Sequence, residues 1–386
     1  MTKEKKERRR ALSVIFALAL SLAFLLFLLR SDIAIDYMKI SLKLCGETVI
    51  PSLFPFMVIS SLMVSSGVGV KLCRPLVFPS RLMLGISDGG ACATLLGAVC
   101  GLPVGANVLC KMYDRGMISK KELERVLAIS NNPGSAFVIS AVGISLFGSV
   151  KIGIMLYLSV ILSAFAVGII SRFFVGKCEK EFVDTRIMLA VENNGDFSGM
   201  FTSAVRDSAT SMLSICAMIA FFSSFLGCVG ATLVRLGVSE TPIALISSFF
   251  EVSGGVSALC RLQGNIGVVL SAAALGWSGF CVHFQVMSLC SGRGISFKRY
   301  FLSKIAQSFL SAALSAIFLR IVPLSHDAFA DSLYPLSYLL YSLADQLQVK
   351  YISTSSPPVS AVTVAVSKSP QVPQMGSRVT PIFSCR

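Results

Sequence analysis

The chain has 386 residues, of which 54% are hydrophobic and only 14% charged, against about 25% charged in an average soluble domain. Its 34 Lys and Arg, 20 Asp and Glu and 2 His provide too little polar surface for a soluble fold of this length, and a purely cytosolic enzyme is nearly excluded. The formal net charge of +14 sits in short clusters between apolar segments, with no long basic face and no interleaved aromatics, so it reads as membrane topology and not as nucleic-acid binding.

The amino-terminal thirty residues are a basic head, Lys3 to Arg10, followed by the apolar run Ala11 to Leu29. The run is longer than a signal-peptide core, and Arg30-Ser31-Asp32 offers no small-x-small cleavage site, so it is expected to remain as a transmembrane anchor. Residues 32–47 mix Ile33, Ile35, Tyr37, Met38, Ile40, Leu42 and Leu44 with Asp36, Lys39 and Lys43 and read as an interfacial helix. Further apolar segments lie at 49–70, 89–110, 126–147, 152–171, 209–234, 242–260, 266–290 and 300–322.

Two of these differ in kind. Segments 89–110 and 242–260 are short, interrupted by Gly or Pro, and end at Lys111 and Arg261, which predicts re-entrant hairpins or broken helices. Treating them so leaves seven full spans, with the amino terminus cytoplasmic and 23 of 34 basic residues on that side, the four from Arg293 to Lys304 among them, as loops retained in the cytoplasm require. The resulting units are 1–47 (anchor and interfacial helix), 48–171, a cytoplasmic linker 172–208, 209–322, and a Ser, Pro and Val-rich tail 323–386 expected to be disordered or weakly ordered.

Units 48–171 and 209–322 resemble each other. Gly105, Leu109, Cys110 and Lys111 align with Gly255, Leu259, Cys260 and Arg261, and Ser135, Phe137 and Tyr157 align with Ser278, Phe280 and Tyr300. Three full spans per unit invert the second unit relative to the first, which predicts an all-α polytopic membrane protein, about seven transmembrane helices plus two broken hairpins in an inverted repeat. A substrate site is expected near the midplane where the broken segments meet.

Polar residues in that layer are the candidates, because burying them in hydrocarbon is costly. Glu251, in FFEVSGG, either contacts a cation, proton or polar solute together with Ser253 and the backbone of Gly254 and Gly255, or it caps a broken helix or pairs with Arg261. The first hairpin supplies Pro103, Gly105 and Asn107. Asn131 and Asn132 precede Pro133 and mark either a helix break or an amide pair for a ligand. His283 and Gln285 are read as substrate or proton contacts, or as interhelical hydrogen bonds. Gly97, Gly101 and Gly105 form a close-packing face. Gly85-Ile-Ser-Asp-Gly89 lacks the strand-turn-helix setting of a serine nucleophile, and Asp88 there reads as a hairpin cap. Eight of the Cys lie in apolar runs and read as buried thiols; no Cys-x-x-Cys pair exists, and no metal or cofactor is expected.

The run VIPSLFPFMVISSLM, the GLPVGA hairpin followed by YDRGMISKKELERVLAISNNPG, the later EVSGG and the run SGFCVHFQVMSL resemble the YlbJ-like sporulation integral membrane proteins. These belong to the nucleoside-recognition or Gate-domain group, which also occurs in concentrative nucleoside transporters and in the membrane part of ferrous iron transporters. The resemblance covers residues 35–322. It implies an endospore former and a role in sporulation, usually cortex formation, in the cell membrane; it supplies no substrate. The expected function is a permease for a small polar solute, with a non-transporting scaffold in spore envelope assembly as the alternative and no enzymatic reaction. The expected partners are the lipid bilayer, that solute, and sporulation membrane proteins or a second copy of the chain.

Overall fold

The computed structural model describes residues 3–68, 71, 80, 82–175, 197–262 and 264–321, and among these residues the regular structure is entirely helical. The middle of the expected linker, 176–196, and the tail from residue 322 lie outside the described residues. Helices α1 (Lys3–Leu29) and α2 (Ser31–Leu44) open the chain. Their apolar parts, Ser13–Leu29 and Ser31–Glu47, are bent by 90° at Arg30 and are long and apolar enough to cross a membrane only when taken together as one broken stretch. Cys45–Val49 then form one π-helical turn before α3 (Ile50–Ser65).

Six helical segments complete the first unit and begin the second: α4 (Asp88–Cys100), α5 (Val104–Asp114), α6 (Lys120–Ser130), the π-helix Ala136–Leu146, α7 (Val150–Val175) and α8 (Phe197–Arg235). Then come α9 (Glu240–Phe250), α10 (Val252–Leu259), α11 (Asn265–Trp277), α12 (Gly279–Leu289) and α13 (Lys298–Ile321). Among the described residues, four stretches are long and apolar enough to cross a membrane: Val150–Phe173, Phe197–Arg235, Asn265–Leu289 and Lys298–Ile321.

Both segments predicted to be broken are broken. Two segments predicted as plain spans differ from that expectation: 126–147 is interrupted after Ser130, and 266–290 at Ser278. Segment 49–70 carries only the shorter apolar helix Leu53–Ser65. Pro133 explains the first interruption, since it has no N–H to donate and disfavours helical dihedrals at Asn132.

The interior is apolar, with Met57, Leu109, Met112, Leu123, Leu127, Ile152, Leu156 and Leu259 fully buried. Bulky apolar side chains also point outward; Leu22, Leu213 and Phe309 are 68%, 72% and 75% exposed. An outward face of this kind is unfavourable in water and matches lipid. The inner seam between α7, α11 and α13 is built on small residues. Ser163 Oγ lies 2.7 Å from Ser311 Oγ, and a methyl group at Gly276 would stand 3.0 Å from Gln307 O.

Polar contacts collect the basic loops at one end of this bundle. Arg293 holds Asp114 through two bonds of 2.7 and 2.5 Å, and the Ser296 amide donates to Glu124 Oε1 at 2.7 Å. Lys111 donates to Ser61 Oγ at 2.5 Å and pairs with Asp207 at 3.2 Å. Arg115 donates to Val64 O, Arg125 to Leu84 O, and Arg172 to Leu82 O. The Ser87 hydroxyl, and not Asp88, caps α4 by accepting from Gly90 N at 3.2 Å.

Candidate functional site at the apposed helix breaks

In the first unit, α4 and α5 fold back on each other about Gly101, whose φ of 83° suits glycine. A methyl group at Gly97 would lie 3.0 Å from Gly105 Cα, and one at either glycine would overlap the Ser130 carbonyl oxygen. The turn itself rests on the next break: a methyl at Gly134 would meet Cys100 O at 3.0 Å and Gly101 Cα at 3.1 Å. Tyr157 Oη, on α7, donates to Ala98 O at 2.9 Å and satisfies a carbonyl that the end of α4 leaves free.

The second unit also holds a broken hairpin. Glu251 is extended, with φ −139° and ψ 120°, and separates α9 from α10. Its Oε1 accepts from Ser253 N at 2.8 Å and its Oε2 from Gly254 N at 2.6 Å, so a buried carboxylate caps α10 with both oxygens. The arms α9 and α10 close where Gly255 touches the backbone of Ser248. The hairpin again meets a break in the following helix: Ser278 and Gly279 have φ of 75° and 80°, and a methyl at Gly279 would lie 3.1 Å from Phe250 O and Val252 N. Trp277 Nε1 donates to Phe249 O at 2.9 Å and ties the two breaks together.

A buried polar network crosses between the units. Lys304, fully buried on α13, donates through Nζ to Asn131 O at 2.5 Å, Asn132 Oδ1 at 3.0 Å and Gln307 Oε1 at 3.0 Å. Gln307 Nε2 donates to Asn132 Oδ1 at 2.7 Å and Val160 O at 3.2 Å, and Asn132 Nδ2 donates to Ile129 O at 2.6 Å. Asn131 Nδ2 donates to Tyr300 Oη at 3.3 Å, and Tyr300 Oη lies 2.8 Å from His283 Nδ1. The His283 ring sits against Trp277, with centroids 4.4 Å apart, and Phe301 at 5.1 Å. Three buried atoms in or beside this cluster lack a hydrogen-bond partner: Ser130 Oγ, Asn131 Oδ1 and His283 Nε2.

No protein-family model matches the chain, and no solved structure matches it. The chain is 27% identical over 327 residues to the sporulation integral membrane protein YlbJ of Bacillus subtilis strain 168, across 75% of this chain and 80% of that protein. The chain is YlbJ-like. The likeness, together with the apolar helices and their outward apolar faces, makes it a multi-pass integral membrane protein.

In this YlbJ-like chain the predicted residues divide into groups. Asn131, Asn132 and His283 come together. Glu251, Ser253 and Gly254 form the separate cap of α10, and Gly255 and Gly105 serve as contact points within the hairpins. Pro103 lies at the turn before α5. Asn107 is buried on α5, and Gln285 reaches Cys281 Sγ at 3.4 Å within its own helix; neither joins the network by a described hydrogen bond.

Sequence reading missed Tyr300, Lys304 and Gln307, and it counted Lys304 among the cytoplasmic basic residues. The signal was present: Lys304 lies inside the apolar segment 300–322, where a charge is costly unless it has partners. Proximity in sequence to Lys298 and Arg299 concealed it. Counting from Lys298, Lys304 stands about 9 Å further along the helix axis.

Proposed function

We propose that this chain is a permease for a small polar solute, working in the cell membrane of an endospore former and serving spore formation, with the cortex as the structure it supports. The observation that carries this reading is the pair of apposed breaks, Gly101 against Gly134 and Glu251 against Gly279. Broken helices expose backbone donors and acceptors at depth, and transporters built from repeats bind substrate at such points. The matching order of hairpin, interrupted helix and final helix in both units supports an inverted repeat of the Gate type, with seven spans and the amino terminus in the cytoplasm. Asn131, Asn132, His283 and the free atoms beside them are the solute contacts in this reading, and the chain carries out no covalent chemistry.

A second reading has its own support. Both Glu251 oxygens and all three Lys304 protons are already engaged within the protein, as a scaffold that recruits sporulation membrane proteins or a second copy would require. One experiment separates the two. Purified protein in lipid nanodiscs is heated in the presence of sugars, amino acids, nucleosides and organic acids, and any stabilising class is then tested for uptake into proteoliposomes. Stabilisation and uptake by one class, both lost in Asn131→Ala, support the permease. A broad screen with neither overturns it in favour of the scaffold.

A further inference from the structure

The ammonium of Lys304 is enclosed and held only by neutral oxygens: the Asn131 carbonyl and the side-chain oxygens of Asn132 and Gln307. The pairs Lys39–Asp36, Lys43–Glu47, Lys111–Asp207 and Arg293–Asp114 lie elsewhere and do not involve Lys304. The groups around it are known from each packed element. His283 faces it from α12, and Tyr300 and Gln307 share its own helix. The chain after α6 presents the Asn131 carbonyl and the Asn132 amide; further along α13, α7 meets Gln307 through the Val160 carbonyl and Ser311 through Ser163, and α11 meets Ser308 through the Ala273 carbonyl. His283 and Tyr300 are the titratable members of this set, and no acid is among them.

The donor count differs between the two protonation states of the lysine. An ammonium has three N–H donors and no acceptor, and three oxygens receive them. A neutral amine has two N–H donors and a lone pair, so one of the three oxygens loses its donor and faces a lone pair instead. Two of the three oxygens belong to the unwound segment that rests on the first hairpin turn.

We propose that Lys304 is a proton-binding site that clamps the break at Asn131–Gly134 when protonated and releases it when neutral, so that the proton is the coupling ion of the permease. The clamp stands on the geometry alone, whereas its use in coupling rests on the permease reading above.

The test is hydrogen exchange by mass spectrometry on the full-length protein in nanodiscs, with no solute present, from about pH 5 to about pH 9.5. After correction for intrinsic exchange, the opening constant of residues 130–138 is expected to rise by up to about tenfold per pH unit over the interval where one proton leaves. Lys304→Arg, which keeps its charge throughout, is expected to remove the rise, and Lys304→Gln to leave exchange fast at every pH. Should these variants fail to fold, Gln307→Met removes one acceptor of the ammonium and is expected to move the wild-type transition to lower pH. A flat wild-type profile, a rise that persists in Lys304→Arg, or a transition unmoved in Gln307→Met overturns the clamp. For coupling, uptake that follows an imposed pH gradient supports the proposal, and uptake indifferent to it overturns that part. A clamp that titrates in a protein with no uptake for any solute faults the permease reading and leaves the clamp standing.

Discussion

Glu251 shows how one buried side chain holds a helix break. A carboxylate in hydrocarbon is unfavourable, and two backbone amides at a helix start, where the helix dipole also favours negative charge, offset that cost. Glu251→Ala is expected to lower stability by about 1–2 kcal/mol, within the range for a lost cap, while Glu251→Gln keeps one acceptor oxygen and loses less; thermal unfolding in nanodiscs measures both. If Glu251→Gln instead leaves stability at the wild-type value and abolishes sporulation, the residue contacts the solute directly. Sequence pattern named Glu251 and its possible roles, but whether its oxygens face the chain or a ligand depends on α10 starting directly after it at Val252, which periodicity does not reveal.

Glycines decide the geometry at the scale of elements. Gly97 and Gly105 allow α4, α5 and the end of α6 to meet at the Ser130 carbonyl, and Gly97→Ala or Gly105→Ala is expected to destabilise by about 1–3 kcal/mol through overpacking, read as loss of folded protein and a lower unfolding temperature. Ser278 is the complementary case. It carries a side chain at φ 75°, where residues other than glycine are disfavoured by about 1–2 kcal/mol. Ser278→Gly is therefore expected to raise the unfolding temperature and Gly279→Ala to lower it; equal and small effects would show that the break is not strained. That Gly97 and Gly105 serve close packing was legible in the sequence, but they lie on two helices with Gly101 at the turn between them and not on one face. The break at Ser278 was not legible, because Gly-Trp-Ser-Gly-Phe lies in an uninterrupted apolar run with no proline.

For the whole molecule, the two units meet through buried side chains far apart in sequence, and this can be tested without knowing the solute. Cys110 Sγ and Cys290 Sγ lie 3.3 Å apart and are both buried. A small membrane-permeant oxidant, removing two protons and two electrons, is expected to join α5 to the end of α12; mass spectrometry of digested protein should find the linked peptides in wild type and not in Cys290→Ser. Absence of the link under conditions that oxidise other buried thiols would place the units differently. The polar contacts among Lys111, Asp114, Arg115, Arg172, Asp207 and Arg293 gather their loops at one end, and thiol labelling from each side of the membrane is expected to find the loops after Asp114 and Leu289 on the same face as the amino terminus.

Apolar run length, charge scarcity and the Gly and Pro interruptions of segments 89–110 and 242–260 determined, without coordinates, that this is a helical membrane protein with two broken hairpins; the second break falls at Glu251 and not at Ser253-Gly254-Gly255, which are helical. These features act locally: a helix in lipid must satisfy its own backbone, so its length and its breaks are written in consecutive residues. Tertiary structure decided which polar residues share a site. Lys304 and Asn131 are 173 positions apart, and Tyr300 joins Asn131 to His283 across the same gap. A hydrogen bond between distant segments depends on how helices cross and which faces they turn inward, and no local period encodes that. The lysine counted as a surface charge thus became, in three dimensions, the cation that holds the first unit's broken helix.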